Sequence, residues 1–118
     1  QSLDEFIAIL RQRFPNCLID SFQSNHEGVL IDKLQEAMGK YDGIVMNPGG
    51  YAHTSIALAD TVRAINIPVV EVHISNIYGR EEYRHHSFTA EAAVYSITGH
   101  GLEGYAEAVD FLMKNHSR

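Results

Sequence analysis

The sequence predicts an open α/β fold, in which parallel strands form a sheet and helices cover both of its faces. Apolar residues at helical spacing alternate along the chain with short runs of apolar, β-favouring residues. This alternation is typical of parallel strands joined by helical crossovers. A length of 118 residues with 45% hydrophobic and 20% charged side chains suits one domain with one core. We therefore treat residues 1–118 as a single domain.

The first elements are a helix, a strand and a second helix. Ser2 and Glu5 have the spacing of a capping box, and apolar residues then repeat at helical intervals until Pro15. Residues 17–24 alternate apolar and polar side chains, which predicts a strand followed by a polar loop. Residues 29–38 return to helical spacing.

The rest of the chain continues the alternation. In order, it predicts a strand at 43–46, a helix capped by Thr54 or Ser55 and running to Ile65, a strand at 69–75, a polar loop at 76–87, a strand at 93–98 and a helix at 102–114. The pattern opens on a helix, although the first strand of such a sheet is commonly central. We therefore expect a strand upstream of Gln1, so that this domain is N-terminally incomplete.

Composition excludes several classes of partner. The net charge of −6 and the pI near 5.5 argue against binding to nucleic acid or an anionic membrane. Cys17 is the single cysteine, so neither an internal disulfide nor a cysteine-based zinc cluster can form, which fits a cytoplasmic protein. We expect the partner to be a small molecule.

Three predicted strands end in polar loops, at residues 22–28, 47–55 and 71–87. In open α/β sheets the ligand lies beyond the carboxyl ends of the strands. Each loop alone could be a solvated turn, but three together favour a site.

Several residues of these loops could take part in acid–base chemistry or bind a polar ligand. Glu71 and His73 share a strand face, so Glu71 could orient His73 as a general acid, although such pairs also occur structurally. Asn47 could hold a water molecule or a developing enolate, or it could simply form a turn. His53 could donate to a substrate hydroxyl, or it could be an ordinary surface residue. Arg84 could hold a carboxylate or hydroxyls.

Two other patterns are discounted. Residues 99–104 match the dinucleotide fingerprint GxGxxG, but no further strand with a ribose-binding acid follows. The histidines form no HExxH motif, and the adjacent His85 and His86 would point apart on an extended chain. We expect neither a nucleotide cofactor nor a metal.

Taken together, the segments QSNHEG, NPGGYAHTS, EVHISN, YGREEYRHHS and ITGHGLEGY resemble the type II 3-dehydroquinate dehydratases over essentially the whole chain. The resemblance implies a flavodoxin-like fold, no cofactor or metal, and trimers that assemble into dodecamers. It also implies reversible anti elimination of water from 3-dehydroquinate, through an enolate, to give 3-dehydroshikimate in the shikimate pathway.

The same resemblance implies a role for each matched residue. His73 resembles the general acid, Glu71 its support, and Asn47 the residue that stabilises the enolate with an ordered water. The substrate-binding positions would be His53 and Arg84 for ring hydroxyls, Ile74 and Ser75 for the carboxylate, and Asp60 reaching the site of a neighbouring subunit.

The chain departs from the family pattern at its beginning. In the family, a first strand ending in a GPNLN-type motif leads to a lid with an Arg and the Tyr that acts as base, and neither occurs in residues 1–118. We therefore expect residues 1–118 alone to be inactive. Two alternatives remain, a flavodoxin-like module that binds phosphate or flavin through 47–50 without catalysis, and a structural oligomerisation domain.

Overall fold

The computed structural model describes residues 1–75 and 87–115. In chain order these residues form α1 (Leu3–Arg13), α2 (Glu27–Glu36), β1 (Ile44–Met46), a 3₁₀ helix (Gly49–His53), α3 (Ile56–Ala64), β2 (Val69–His73), α4 (Phe88–Ala92), β3 (Tyr95–Thr98) and α5 (Glu103–Asn115).

The three described strands form one parallel sheet in the order β1-β2-β3. Val70 of β2 pairs with Val45 on one side and with Tyr95 on the other. All five residues of β2 are buried, as expected for the central strand of a sheet that is covered on both faces. The predicted parallel α/β architecture is confirmed.

Helices cover both faces of the sheet. On one face the buried side chains belong to α1, α5 and the sheet, namely Phe6, Leu10, Val70, Val72, Ile97, Tyr105, Ala106 and Ala108. On the other face they are Leu34, Ala37, Met46, Leu58, Val62, Ile65, Ile67 and Val69, which come chiefly from α2, α3 and the sheet. Successive residues of β2 therefore supply opposite layers, because side chains alternate across a strand.

α1 begins as the sequence predicts. The Ser2 hydroxyl accepts a hydrogen bond from the Glu5 backbone N–H at 3.2 Å, and the Glu5 carboxylate accepts one from the Ser2 backbone N–H at 2.8 Å. The bond from the Ser2 backbone, followed by that from its side chain, lowers the pKa of Glu5. The helix ends at Arg13, two residues before Pro15.

The predicted strand at 17–24 was wrong. This segment has no regular secondary structure, and Leu18 is 84% exposed. A strand needs a hydrogen-bonded neighbour, whereas β1 pairs only with β2 among the described residues. A groove of about 1950 Å³, lined by residues from 16–25, α2, α5 and β1, lies along the segment. Two contacts hold the segment: Arg11 Nε donates to the Ile19 carbonyl at 3.0 Å, and the Tyr41 hydroxyl donates to the Asp20 carboxylate at 2.5 Å.

The other predicted elements are found with shifted ends. The helix expected at 29–38 begins at Glu27, and β3 begins at Tyr95 rather than at residue 93. The short helix α4, capped by Ser87, was not predicted; the rest of the expected loop, 76–86, lies outside the described residues. None of the described helices has the length and apolar character needed to cross a membrane.

Candidate active site

The carboxyl ends of β1 and β2 lie side by side at one edge of the sheet, because the two strands are parallel neighbours. β1 ends at Met46 and is followed by Asn47. β2 ends at His73 and is followed by Ile74 and Ser75, both exposed. The structure thus brings together two of the three polar strand ends that the sequence singled out.

The third polar segment packs against the same region, although it does not follow a strand. The Tyr51 hydroxyl donates to the Asn25 carbonyl at 2.8 Å, and the Ser55 hydroxyl donates to the Glu27 carboxylate. Ser55 also accepts from the Leu58 backbone N–H at 2.9 Å, which makes it the N-cap of α3. These contacts hold the loop at 47–55 against the start of α2.

His73 and Glu71 form a buried pair on one face of β2. His73 is 5% exposed and Glu71 is 0% exposed. Nε2 of His73 lies 2.5 Å from Oε1 of Glu71. A contact this close to a carboxylate favours a proton on Nε2, so Glu71 fixes both the tautomer and the orientation of the ring.

Two hydroxyl groups from the start of α4 complete the surroundings of Glu71. The Ser87 hydroxyl lies 3.1 Å from Oε1, and the Thr89 hydroxyl donates to Oε2. Ser87 is 5% exposed and Thr89 is 0% exposed. A carboxylate buried to this degree is costly unless donors surround it, and His73 supplies the remaining donor.

His53 lies next to this pair. It ends the 3₁₀ helix that follows β1, and it is half-buried. Its ring centroid is 6.4 Å from that of His73, and the two ring planes are inclined by only 21°. The structure therefore brings together two of the predicted histidines.

The Asn47 side chain is oriented by two contacts. Its Oδ1 accepts a hydrogen bond from the Gly49 backbone N–H at 3.1 Å, and its Nδ2 donates to the Tyr105 hydroxyl at 3.1 Å. Gly49 has a φ of 59°, a conformation that favours glycine. The turn and the buried Tyr105 of α5 thus hold the amide at the carboxyl end of β1.

The glycine-rich segment at 99–104 has a structural explanation. Gly99 and Gly101 have φ values of 79° and 61°. Their backbone N–H groups donate to the carbonyls of His73 at 3.1 Å and Ile74 at 2.9 Å. A Cβ on Gly104 would come within 3.1 Å of Val72. The glycines therefore serve the turn after β3 and the packing of α5 on β2.

One predicted site residue lies apart from this cluster, and a second is not in the described part of the chain. Asp60 is exposed on α3, and its carboxylate pairs with Arg63 of the same helix at 3.4 Å. Arg84 lies outside the described residues. Among residues 1–75 and 87–115, no group of three His, Cys, Asp or Glu side chains is arranged to hold a metal ion.

Sequence reasoning missed three residues that contact the predicted site: Ser87, Thr89 and Tyr105. Ser87 stands at the end of the polar segment 71–87, so its hydroxyl could have been considered. Thr89 and Tyr105 carry no signal of this kind, because only the folded chain brings them to Glu71 and Asn47.

The family described as Dehydroquinase class II matches residues 1–113 of this chain. The chain belongs to this family. Among curated relatives, the 3-dehydroquinate dehydratase of Clostridium botulinum strain Hall is 58% identical over 97 residues, covering 82% of this chain and 66% of that protein. The 3-dehydroquinate dehydratase 1 of Corynebacterium efficiens is 48% identical over 117 residues, covering 98% of this chain and 78% of that protein. The match with the clostridial relative thus spans just under two thirds of its length.

Solved class II dehydroquinase structures share the fold. The type II dehydroquinase from Butyrivibrio crossotus superposes with a TM-score of 0.89 at 44% identity, covering 94% of this chain and 77% of that one. The enzyme of the same type from Propionibacterium acnes gives a TM-score of 0.87 at 33% identity, covering 95% of this chain and 84% of that one. These matches agree with the flavodoxin-like fold that the resemblance implied.

Proposed function

We propose that the full-length protein is a 3-dehydroquinate dehydratase, a hydro-lyase that removes water reversibly from 3-dehydroquinate to give 3-dehydroshikimate by anti elimination. Membership of the class II dehydroquinase family supports this reaction. The observation that carries the proposal is the buried His73–Glu71 pair at the carboxyl edge of the sheet, with His53 beside it. Two lines of argument, from the family and from the site chemistry, thus lead to the same activity.

His73 is the proposed general acid. Loss of a hydroxide ion is slow unless the departing oxygen is protonated, and a histidine can deliver that proton near neutral pH. Glu71 supports this role, because its Oε1 lies 2.5 Å from Nε2 of His73 and so fixes the orientation of the ring. The pair can then take up a proton again after each turnover.

Asn47 is the proposed partner of the enolate. Removal of the proton alpha to the ketone leaves negative charge on oxygen, and a preorganised amide, acting with an ordered water, can stabilise it. The bonds with Gly49 and Tyr105 hold the amide in one orientation. This rigidity supports a role in which the group must not reorganise during the reaction.

The remaining family positions are proposed to bind substrate and to link subunits. His53 and Arg84 would bind ring hydroxyls, while Ile74 and Ser75 would receive the carboxylate. Asp60 would complete the site of a neighbouring subunit in a trimer-based assembly of twelve chains. The exposed position of Asp60 on α3 supports a contact outside its own subunit. We further propose that the protein is cytoplasmic and uses no cofactor.

As the resemblance implies, we propose that the base is a Tyr of the family's lid, with its pKa lowered by a nearby Arg. Several described Tyr hydroxyls already have partners, namely Tyr41 with Asp20, Tyr51 with Asn25 and Tyr105 with Asn47. The hydrogen bond to Asp20 raises the pKa of Tyr41, which is opposite to what a base requires. The resemblance assigns the base to a lid that follows a first strand.

The proposal is tested by incubating the full-length protein with 3-dehydroquinate labelled stereospecifically with deuterium at the carbon alpha to the ketone. Mass spectrometry of the product should show loss of water together with the hydrogen anti to the departing hydroxyl. Loss of the other hydrogen would contradict the anti course. A protein that carried flavin and left the substrate unchanged would instead support the binding-module alternative.

A further inference from the structure

We propose that Thr89 and Ser87 are positioning residues, which hold the carboxylate of Glu71 in the one rotation that orients His73. This inference rests on the proposed dehydratase function, because it concerns the delivery of a proton by His73. It adds α4, a helix of five residues, to the parts of the molecule on which catalysis depends.

The argument begins with the freedom of a glutamate side chain. Rotation about the bond to the carboxylate is soft, so Oε1 could leave His73 unless other groups held it. The Thr89 hydroxyl donates to Oε2, on the far side of the carboxylate from His73. Together with the contact between His73 and Oε1, this bond fixes both ends of the carboxylate.

The Thr89 hydroxyl donates to Oε2 of Glu71 and lies 3.4 Å from the Ser87 hydroxyl. Thr89 is the second residue of α4, directly after the first helical residue Phe88. Its side chain is 0% exposed, so bulk solvent does not compete for the hydroxyl. The hydroxyl proton is therefore directed to Glu71.

Ser87 also contacts the carboxylate of Glu71 and links it to the start of α4. Its hydroxyl donates to Oε1 of Glu71 at 3.1 Å and accepts from the Ala90 backbone N–H at 3.1 Å. The N-cap residue of α4 thus also donates a hydrogen bond to the buried carboxylate of Glu71. Because one side chain makes both bonds, the position of α4 and the rotation of Glu71 depend on each other.

The direct test compares variants of the full-length protein at Thr89. Thr89→Val keeps the shape but removes the hydroxyl, and Thr89→Ser keeps the hydroxyl. Thr61→Val is the matched control, since Thr61 is also buried but donates to the Ala57 carbonyl within α3. We expect Thr89→Val to lower kcat about tenfold with KM within about twofold of the parent, because Glu71 acts on His73 rather than on the substrate. Thr89→Ser should recover most of kcat, and Thr61→Val should leave it unchanged.

Nitrogen-15 spectra of the histidine rings provide a readout that does not depend on turnover. In the parent, the proton on Nε2 of His73 should be protected from exchange, and Thr89→Val should broaden or shift its signal while Thr61→Val does not. If Thr89→Val fails to fold, Ser87→Ala is measured in the same way and should show a smaller change of the same kind.

The possible outcomes separate the two proposals. If the parent protein showed no turnover but Thr89→Val still changed the His73 signal, the dehydratase proposal would be contradicted. The positioning role of Thr89 would remain supported. A folded Thr89→Val variant with kcat within twofold of the parent and an unchanged His73 signal would overturn the positioning role. Equal losses in Thr89→Val and Thr89→Ser would also overturn it, because the hydroxyl would then not be the cause.

Discussion

Nε2 of His73 lies 2.5 Å from Oε1 of Glu71, and the two side chains are only 5% and 0% exposed. The chain contains an exposed counterpart in the contact between His100 and Glu107, at 2.9 Å. An exposed pair of this kind contributes little to stability, whereas a buried pair is expensive to break because the remaining partner stays desolvated. Comparing the two His–Glu pairs therefore tests how burial changes the free-energy cost of breaking such a pair.

Glu71→Gln should destabilise the fold and lower activity. The amide group would meet the donors that now surround the carboxylate, so at least one buried polar group would lose its partner. We expect the free energy of unfolding to fall by about 1–3 kcal/mol, as measured by urea denaturation. Glu107→Gln is the control and should give no resolvable change. Equal effects of the two substitutions would contradict the importance of burial.

Tyr105→Phe should weaken catalysis through Asn47. The substitution removes the acceptor for Asn47 Nδ2 while keeping the ring in the core, so the amide becomes free to turn. We expect kcat to fall about threefold to tenfold, which corresponds to roughly 1 kcal/mol, the usual worth of one hydrogen bond. Tyr95→Phe is the control, because Tyr95 is 49% exposed and stacks on Phe111. If both variants kept the parent kcat, Asn47 would not depend on Tyr105.

Gly104→Ala should destabilise the protein, whereas Gly28→Ala should not. Both glycines are the second residue of a helix, α5 and α2 respectively. A Cβ at Gly104 would meet Val72, which is fully buried in the central strand, at 3.1 Å, while a Cβ at Gly28 would meet nothing within 4 Å. We expect a loss of about 1–3 kcal/mol for Gly104→Ala and a gain of up to about 1 kcal/mol for Gly28→Ala, from chemical denaturation. Equal changes in the free energy of unfolding for the two variants would show that the contact with Val72 does not cause the destabilisation.

The capping box of α1 should give a pH-dependent contribution to stability. Because the bonds from Ser2 lower the pKa of Glu5 from its usual 4.5, the ionised form is favoured in the folded state. The contribution is fully present above the usual pKa and is lost as pH falls through the lowered folded pKa. The difference in Tm between the parent and Glu5→Gln should therefore be present at neutral pH and vanish in acid. Asp4→Asn, in the same helical turn but outside the capping box, should not reproduce this difference.

The sequence predicted an element correctly where the local pattern of residues matches the contacts that the element makes in the folded chain. β2 was predicted because its apolar residues pack on both faces, and α1 because its cap and apolar face are local features. The segment 17–24 has a strand-like pattern, but a pattern cannot supply the neighbouring strand that hydrogen bonding requires. α4 was missed because five residues are too few for helical spacing to show.

Only those site contacts that join residues close together in the sequence could be predicted. Glu71 and His73 are two residues apart, so their contact follows from strand geometry alone. Thr89 contacts Glu71 across 18 positions and Tyr105 contacts Asn47 across 58, distances at which no local pattern operates. The roles of all the predicted site residues stay predictions, namely those of His73, Glu71, Asn47, His53, Asp60, Ile74, Ser75 and Arg84.

The most direct test is the steady-state rate at which the full-length protein and its His73→Ala variant form 3-dehydroshikimate, followed by the absorbance of the product. His73→Ala should lower kcat by about 10²–10⁴-fold, because it removes the proposed proton donor to the leaving hydroxyl. His100→Ala is the control and should keep the parent rate, since His100 contacts Glu107 at the surface. A folded His73→Ala variant with kcat within a few-fold of the parent would contradict the assignment.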